Sequence, residues 1–307
     1  MSWAAVSSAL REAPGVGFAP SESPEGRAWI DGLGSLVQSL LSTWRLDVAS
    51  DRVDRGHASV VVHVRRDDQP LALKVAWPGT SLDDEIAALR TWGGRGAVVL
   101  IDAAIDRGAL LLEHLDADRS LSRAPLDEAA RVAGRLIRRL AVPTTHAHHT
   151  TSDEAAGLVD SLPTRQRALG DPIPPRWLAM AVATARQLSS ESTVGSLVHA
   201  DLHFGNVLAS SRPGDPWVAI DPKPRIGAPE RSVAELTWTR VDELDTAADV
   251  VALVRLVADA GALDAELAAS WAFVRSIDYW LWCVDRGLTV DPTRCRRVAG
   301  ALEDVVG

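Results

Sequence analysis

Apolar residues between positions 25 and 44 fall at Trp29, Ile30, Leu33, Leu36, Val37, Leu40 and Leu41, the three- and four-residue spacing of a helix with one buried face. From Leu46 the period shortens to two. Residues 52–54, 59–64 and 71–76 read as three antiparallel strands, the last two joined by the polar turn Asp67-Asp68-Gln69-Pro70. A helix is predicted over 81–92, opening on Ser81, Asp83 and Asp84 and stopped by Gly93-Gly94-Arg95-Gly96. Strands at 97–101 and 109–113 follow, parted by Asp106-Arg107-Gly108. Residues 1–25, with several Pro and Gly, read as an irregular lead-in. Beyond His114 the helical period takes over, with helices predicted at 126–140, 154–162, 174–188, 246–260, 263–284 and 292–306. Only 197–220 interrupts this half with strand-like runs. The pattern divides the chain into a sheet-rich part, 1–115, and a mostly helical part, 116–307.

At 307 residues and 47% hydrophobic, two lobes are the natural expectation. The net charge of -9 and the absence of a long basic run exclude the electrostatic footprint of a nucleic-acid binder, and such a surface would attract a small cationic molecule. No stretch of about 18 or more consecutive apolar residues occurs and the first twenty residues do not form a signal peptide, so a cytoplasmic protein away from the membrane is expected. Cys283 and Cys295 are too few for a disulfide framework and read as buried thiols. Lys and Arg total 32, of which only Lys74 and Lys223 are lysine, so each lysine stands out from an arginine background.

The candidate chemistry centres on His199-Ala-Asp201-Leu-His203-Phe-Gly-Asn206. A carboxylate at Asp201 can accept or orient the proton of a hydroxyl, and the amide oxygen of Asn206 can ligate magnesium. Alone, the motif is equally compatible with a turn-rich loop. Trp217-Val-Ala-Ile220 then reads as a short buried strand with Asp221 at its exit, where a second carboxylate can face Asn206 and bridge a metal to phosphates. Lys74 lies inside an apolar strand, where an unpaired ammonium is costly, and Glu85, eleven residues on, can pair with it from the next helix. A strand lysine paired to a helix glutamate is the arrangement kinases use to hold nucleotide phosphates. Residues 54–59, ending at Ser59, occupy the place of a phosphate-covering loop without a Gly-rich pattern.

Together with Leu73-Lys74-Val75, the run from Glu85 to Gly96, Leu110 to Leu115, His199 to Leu208 and Trp217 to Pro224, these features resemble the aminoglycoside phosphotransferases, in particular the streptomycin 6-kinase and hydroxyurea-kinase branch. The resemblance runs from about Arg27 to Asp291. It implies an α+β, two-lobed protein-kinase-like fold, with a small antiparallel-sheet N-lobe carrying one main helix and a larger helical C-lobe. It further implies a monomeric enzyme using ATP or GTP with magnesium: Asp201 as base, Asn206 and Asp221 as metal ligands, Lys74 and Glu85 on the phosphates, and Glu113, His114 and Leu115 as the hinge that receives the base. Where such kinases run Gly-Asp-Pro-x-x-Asp, this chain has Gly227-Ala228-Pro229-Glu230-Arg231-Ser232. The expectation is that Glu230 or Glu235 compensates, or that the loop is held differently.

For a cationic acceptor, the candidate partners are His203, the acidic positions Asp242, Glu243, Asp245, Asp278 and Asp285, and Trp282 as a wall. Asp278 and Asp285 are expected to share a helix face. Lys223 is read either as approaching phosphate or as facing solvent, and His146, His148 and His149 as an exposed loop. Three readings follow: a streptomycin 6-kinase-type enzyme, a kinase of the same fold acting on hydroxyurea, an amino sugar or a biosynthetic intermediate, and a nucleotide-binding regulator without turnover.

Overall fold

The computed structural model describes residues 18–78, 82–144, 149–190 and 195–307, together with Val6, Ser8 and Leu10. Ser81, His146 and His148 lie outside the described residues. The chain forms two compact units, one of Met1–Gly94 with Val98–Leu115 and one of Arg95–Ala97 with Asp116–Gly307.

In the first unit, helix α1 (Pro24–Trp44) starts where the Ser23 hydroxyl accepts from the Gly26 amide at 3.0 Å and Pro24 fits the first helical position. Strands β1 (Asp47–Arg55), β2 (Ser59–Arg66), β3 (Gln69–Ala76), β4 (Leu100–Ala104) and β5 (Ala109–Glu113) form one antiparallel sheet in the order β1-β2-β3-β5-β4. The alternation decides which face is covered. Val60, Val62 and Val64 of β2 and Leu71, Leu73 and Val75 of β3 join Ile30, Leu33, Val37 and Leu40 of α1 in one buried cluster. Lys74, between Leu73 and Val75, therefore points to the other face, towards α2 (Asp83–Trp92). That helix opens on Asp83, Asp84 and Glu85 and stops at Gly93, which takes the left-handed φ of 53°.

The strand expected at 97–101 begins three residues later. Gly96 and Ala97 are used elsewhere: Ala97 forms a parallel bridge with Ala219, whose amide donates to the Gly96 carbonyl at 2.9 Å.

The second unit holds two small sheets, β6 (Asp116–Ser120), β8 (Val207–Ala209) and β9 (Trp217–Ala219) in the order β6-β8-β9, and β7 (Ser196–Val198) against β10 (Arg225–Gly227). Its helices are α3 (Leu126–Leu140), α4 (Thr151–Ala168), α5 (Pro175–Ser189), α6 (Ala234–Thr239), α7 (Ala247–Gly261), α8 (Ala265–Asp285) and α9 (Val290–Val306). Capping boxes at Thr150/Asp153 and Thr246/Asp249 fix the starts of α4 and α7. α4 extends past the predicted end at 162 and carries Pro163 within it. α3 and α7 approach so closely that a Cβ on Gly134 would lie 2.2 Å from the Val257 carbonyl oxygen, which only glycine permits. Cys283 and Cys295 are buried free thiols on α8 and α9. No helix of the described residues is long and apolar enough to cross a membrane.

Candidate active site

In the second unit the segment between β7 and β8 wraps around one backbone carbonyl. The Asp201 carbonyl accepts from the His203 amide at 3.1 Å and from Asn206 Nδ2 at 2.9 Å. The Asn206 amide donates back to the His203 carbonyl at 2.9 Å, and His203 Nδ1 accepts from the Gly205 amide at 3.1 Å. With its nitrogen committed to Asp201, Asn206 presents its amide oxygen as the group available to a cation. The hairpin then closes on itself, because the Ile220 amide donates to the Asn206 carbonyl at 2.9 Å. This bond brings Asp221, the next residue, beside Asn206.

Two non-glycine residues here take left-handed backbone, Ala200 at φ 52° and Asp221 at φ 54°. Such conformations persist where surrounding bonds over-determine them, and they gather at functional sites. His199 supplies part of that constraint. It is 1% exposed, and its Nε2–H donates to the Ile220 carbonyl at 2.9 Å while its own carbonyl accepts from the Lys223 amide at 2.9 Å. Burial, against a smaller opposing pull from Asp201, lowers its pKa to about 4, so the ring is neutral. His199 is a tie between the loop and the exit of β9.

Lys223 is the charged partner of Asp201: its Nζ lies 3.0 Å from Asp201 Oδ2, although the lysine side chain is 69% exposed. Neither reading of Lys223, towards phosphate or towards solvent, includes this ion pair within the motif.

In the first unit Lys74 Nζ donates to Glu85 Oε1 and Oε2 at 2.7 and 2.9 Å. Both side chains are buried, at 8% and 9% exposed. The pairing expected from eleven-residue spacing is therefore present on the face of β3 that α1 leaves uncovered. Ser59 is buried at the start of β2, and its carbonyl accepts from the Gly56 amide at 2.9 Å, closing the β1-β2 turn. At the segment expected to form the hinge, Glu113 Oε1 accepts from the Val99 amide at 2.8 Å and the Glu113 amide donates to the Val99 carbonyl at 3.0 Å. His114 is exposed with its ring 5.5 Å from that of His63, and Leu115 is buried.

The segment that departs from the family pattern is anchored by a residue the sequence left unassigned. Arg231 is fully buried and donates to Glu154 (2.8 and 2.8 Å) and to Glu235 (2.9 and 2.8 Å). Arg275 adds ion pairs at 3.5 Å to both glutamates. Burial alone would raise the Glu154 pKa, but Arg231, with help from Arg275, outweighs it and holds the carboxyl at about 2. Glu230 instead accepts from the Asp264 amide at 3.1 Å, at the start of α8. Of the two expected substitutes, Glu235 carries the charge network and Glu230 serves as a helix-end acceptor. Arg225–Gly227 pairs with Ser196–Val198, the strand that runs into His199, so the segment that carries this network is tied to the strand leading into the hairpin.

The acceptor-side carboxylates are largely occupied. Asp278 is held by Arg165 and Arg275, Asp242 by Arg294 at 2.6 Å and Glu243 by Arg240 at 2.6 Å. Asp278 is thus a structural partner and does not share an open acidic face with Asp285, which is exposed, as is Asp245. Trp282 stacks on Tyr279 at 5.5 Å and carries the Arg286 guanidinium at 5.5 Å from its ring.

The antiparallel-sheet unit with its lysine-glutamate pair, and the helical unit with its Asp-Asn-Asp hairpin, define a phosphotransferase of protein-kinase-like fold. Residues 44–287 match the family model described as aminoglycoside/hydroxyurea antibiotic resistance kinase. The chain belongs to that family. It is 36% identical over 283 residues to a streptomycin 6-kinase of Streptomyces glaucescens, covering 90% of this chain and 91% of that protein. It is equally 36% identical over 283 residues to a hydroxyurea phosphotransferase of Kitasatospora aureofaciens, covering 90% of this chain and 81% of that one. Among solved structures it is similar in fold, at TM-score 0.59 and 15% identity over 88% of this chain and 97% of the other, to a thermostable mutant of aminoglycoside phosphotransferase APH(4)-Ia in a ternary complex with ADP and hygromycin B.

Proposed function

We propose that this chain is a magnesium-dependent cytoplasmic kinase that moves the γ-phosphoryl group of ATP or GTP onto a hydroxyl of a streptomycin-type aminocyclitol. The observation that carries this reading is the closed hairpin in which Asn206 Nδ2 donates to the Asp201 carbonyl and the Ile220 amide, next to Asp221, donates to the Asn206 carbonyl, in a family whose members named above include a streptomycin 6-kinase. Asp201 accepts the proton of the acceptor hydroxyl as that oxygen bonds to the γ-phosphorus and the bond from phosphorus to the bridging oxygen of the leaving nucleoside diphosphate breaks. Lys74, held by Glu85, takes the α- and β-phosphates.

Among the described residues no group of three or more His, Cys, Asp or Glu is arranged to hold a metal ion. Asn206 and Asp221 instead offer one amide oxygen and one carboxylate, the sparse oxygen set that suits a magnesium ion keeping phosphates and water as its other ligands. Asn206 and Asp221 would hold magnesium, which would supply positive charge to the nucleotide phosphates. On the acceptor side, His203 and the exposed Asp285 stand as candidate contacts, with Trp282 nearby in sequence on α8.

Hydroxyurea is the second acceptor to consider, because the hydroxyurea phosphotransferase is as similar to this chain as the streptomycin 6-kinase. The test is nucleotide consumption and product mass with streptomycin, other aminoglycosides, hydroxyurea and amino sugars, with and without magnesium. Phosphorylated streptomycin supports the reading, phosphorylated hydroxyurea alone reassigns the acceptor, and nucleotide binding without transfer to any of them rejects it.

A further inference from the structure

Resting on the phosphoryl-transfer reading, we propose that Lys223 is a positioning residue for the base: its ammonium fixes the Asp201 carboxylate so that one oxygen is occupied and the other is left to receive the acceptor proton. Four observations carry this. Nζ lies 3.0 Å from Asp201 Oδ2. The Asp201 side chain is only 23% exposed against 69% for Lys223, so the carboxylate that the ammonium meets is the more sheltered member of the pair. Its backbone is pinned to the same hairpin, because its amide donates to the His199 carbonyl at 2.9 Å. Finally, the chain uses lysine only at positions 74 and 223, and both lysines engage carboxylates of the proposed phosphoryl-transfer machinery. A compact ammonium meets one carboxylate oxygen, whereas the arginine used everywhere else tends to fork across both and would leave the base without a free oxygen.

A carboxylate has acceptor sites on both oxygens, so an ammonium on Oδ2 does not block proton acceptance at Oδ1. It removes a torsional degree of freedom from Asp201, and misorientation of a catalytic group is expensive. Among the described residues, the Asp201 backbone is held by His203 and Asn206 through its carbonyl, while its carboxylate has Lys223. The backbone bonds place the residue and Lys223 aims it.

The test is steady-state kinetics of Lys223→Met, Lys223→Arg, Asp201→Asn and the Met/Asn double variant, together with the thermal midpoint. Lys223→Met is expected to lower kcat by about 30-fold or more, a sizeable part of what a general base supplies, with nucleotide KM and thermal midpoint unchanged. Lys223→Arg should recover only part of the rate. In the Asp201→Asn background the Met substitution should add less than about a twofold loss, because the two act as one unit. A near-normal kcat for Lys223→Met overturns the proposal. So does an undiminished penalty in the Asp201→Asn background, or a raised nucleotide KM, since either would mean that the ammonium acts on phosphate directly.

The pair also has a readout independent of turnover. Lysine labelled with carbon-13 at Cε gives two signals in this chain, and Asp201→Asn should move that of Lys223 while leaving that of Lys74 in place. An unmoved Lys223 signal refutes the pairing. Failure of the wild-type chain to phosphorylate any acceptor would count against the kinase reading, with the labelled signals still deciding the contact.

Discussion

Replacing Arg231 by alanine removes the cation that hydrogen-bonds both Glu154 and Glu235 inside the second unit. The size of the effect follows from the glutamate left behind. Glu154 has its carboxyl held from 4.5 down to about 2 despite burial, chiefly by Arg231, and its side chain is only 14% exposed. At about 1.4 kcal/mol per tenfold change in proton affinity, that corresponds to about 3 kcal/mol of favourable interaction at neutral pH. Arg275 stays at 3.5 Å from both glutamates and recovers some of it, whereas the emptied space of a fully buried arginine side chain adds a cavity cost. The expected loss is therefore about 3 kcal/mol, in line with breaking a buried ion pair from one side. Urea unfolding at pH 7, followed by a signal from the second unit, measures it. The double variant Arg231→Ala with Glu154→Gln should be less destabilised than the sum of the singles, because the stranded charge is gone. A loss below about 1 kcal/mol for Arg231→Ala, or strict additivity in the double variant, would refute the role given to this network.

Lys74→Met should raise nucleotide KM and leave Glu85 as a stranded buried carboxylate, so Lys74→Met with Glu85→Gln should be more stable than Lys74→Met alone; equal thermal midpoints would contradict the pairing. Acid should destabilise the fold in two windows. Between pH 6.5 and about 4 the unfolded chain takes up a proton on His199 that the native ring refuses, so stability falls as pH is lowered, by at most about 3 kcal/mol. Glu154, whose native pKa is depressed, extends the loss from pH 4.5 down to about 2. His199→Gln should flatten the first window, and an unchanged slope there would rule the ring out. Gly227→Ala should destabilise by about 1 to 3 kcal/mol, because a Cβ would sit 1.9 Å from Thr151 Oγ1 at a backbone φ of 155°. Thr151→Ala in the same chain should recover part of that loss, and a neutral Gly227→Ala on calorimetry would mean that the β10 segment is free to shift.

What the sequence disclosed about this site is what short-range spacing can carry. Lys74 and Glu85 are eleven residues apart, and Asp201, Asn206 and Asp221 sit on one hairpin, so strand and turn periodicity sufficed to bring them together. Arg231 and Glu154 are 77 residues apart, and Arg165 and Asp278 are 113 apart. No local pattern says that such charges will meet. For that reason Asp278 reads as an open carboxylate until its arginines are seen. Strand β6, Asp-Ala-Asp-Arg-Ser, falls outside 197–220, the one strand-like interruption expected in this half, because its residues are polar and its strand character comes from pairing with β8 and not from burial. The late start of β4 has the same origin, the claim of Ala219 on Gly96 and Ala97.

The division of labour proposed for the site, with Asp201 on the acceptor proton and Asn206 and Asp221 on the nucleotide, stands or falls on single-turnover transfer by Asp201→Asn. With magnesium nucleotide and the best acceptor of the panel both saturating, the rate of the first turnover should fall by about 100-fold or more. Nucleotide affinity, measured separately by calorimetry, should stay within about threefold of the wild type, because an amide keeps the shape of the carboxylate while losing its charge and basicity, and the nucleotide is assigned to other residues. A first turnover close to the wild-type rate, or a collapse of nucleotide affinity in its place, would contradict the assignment.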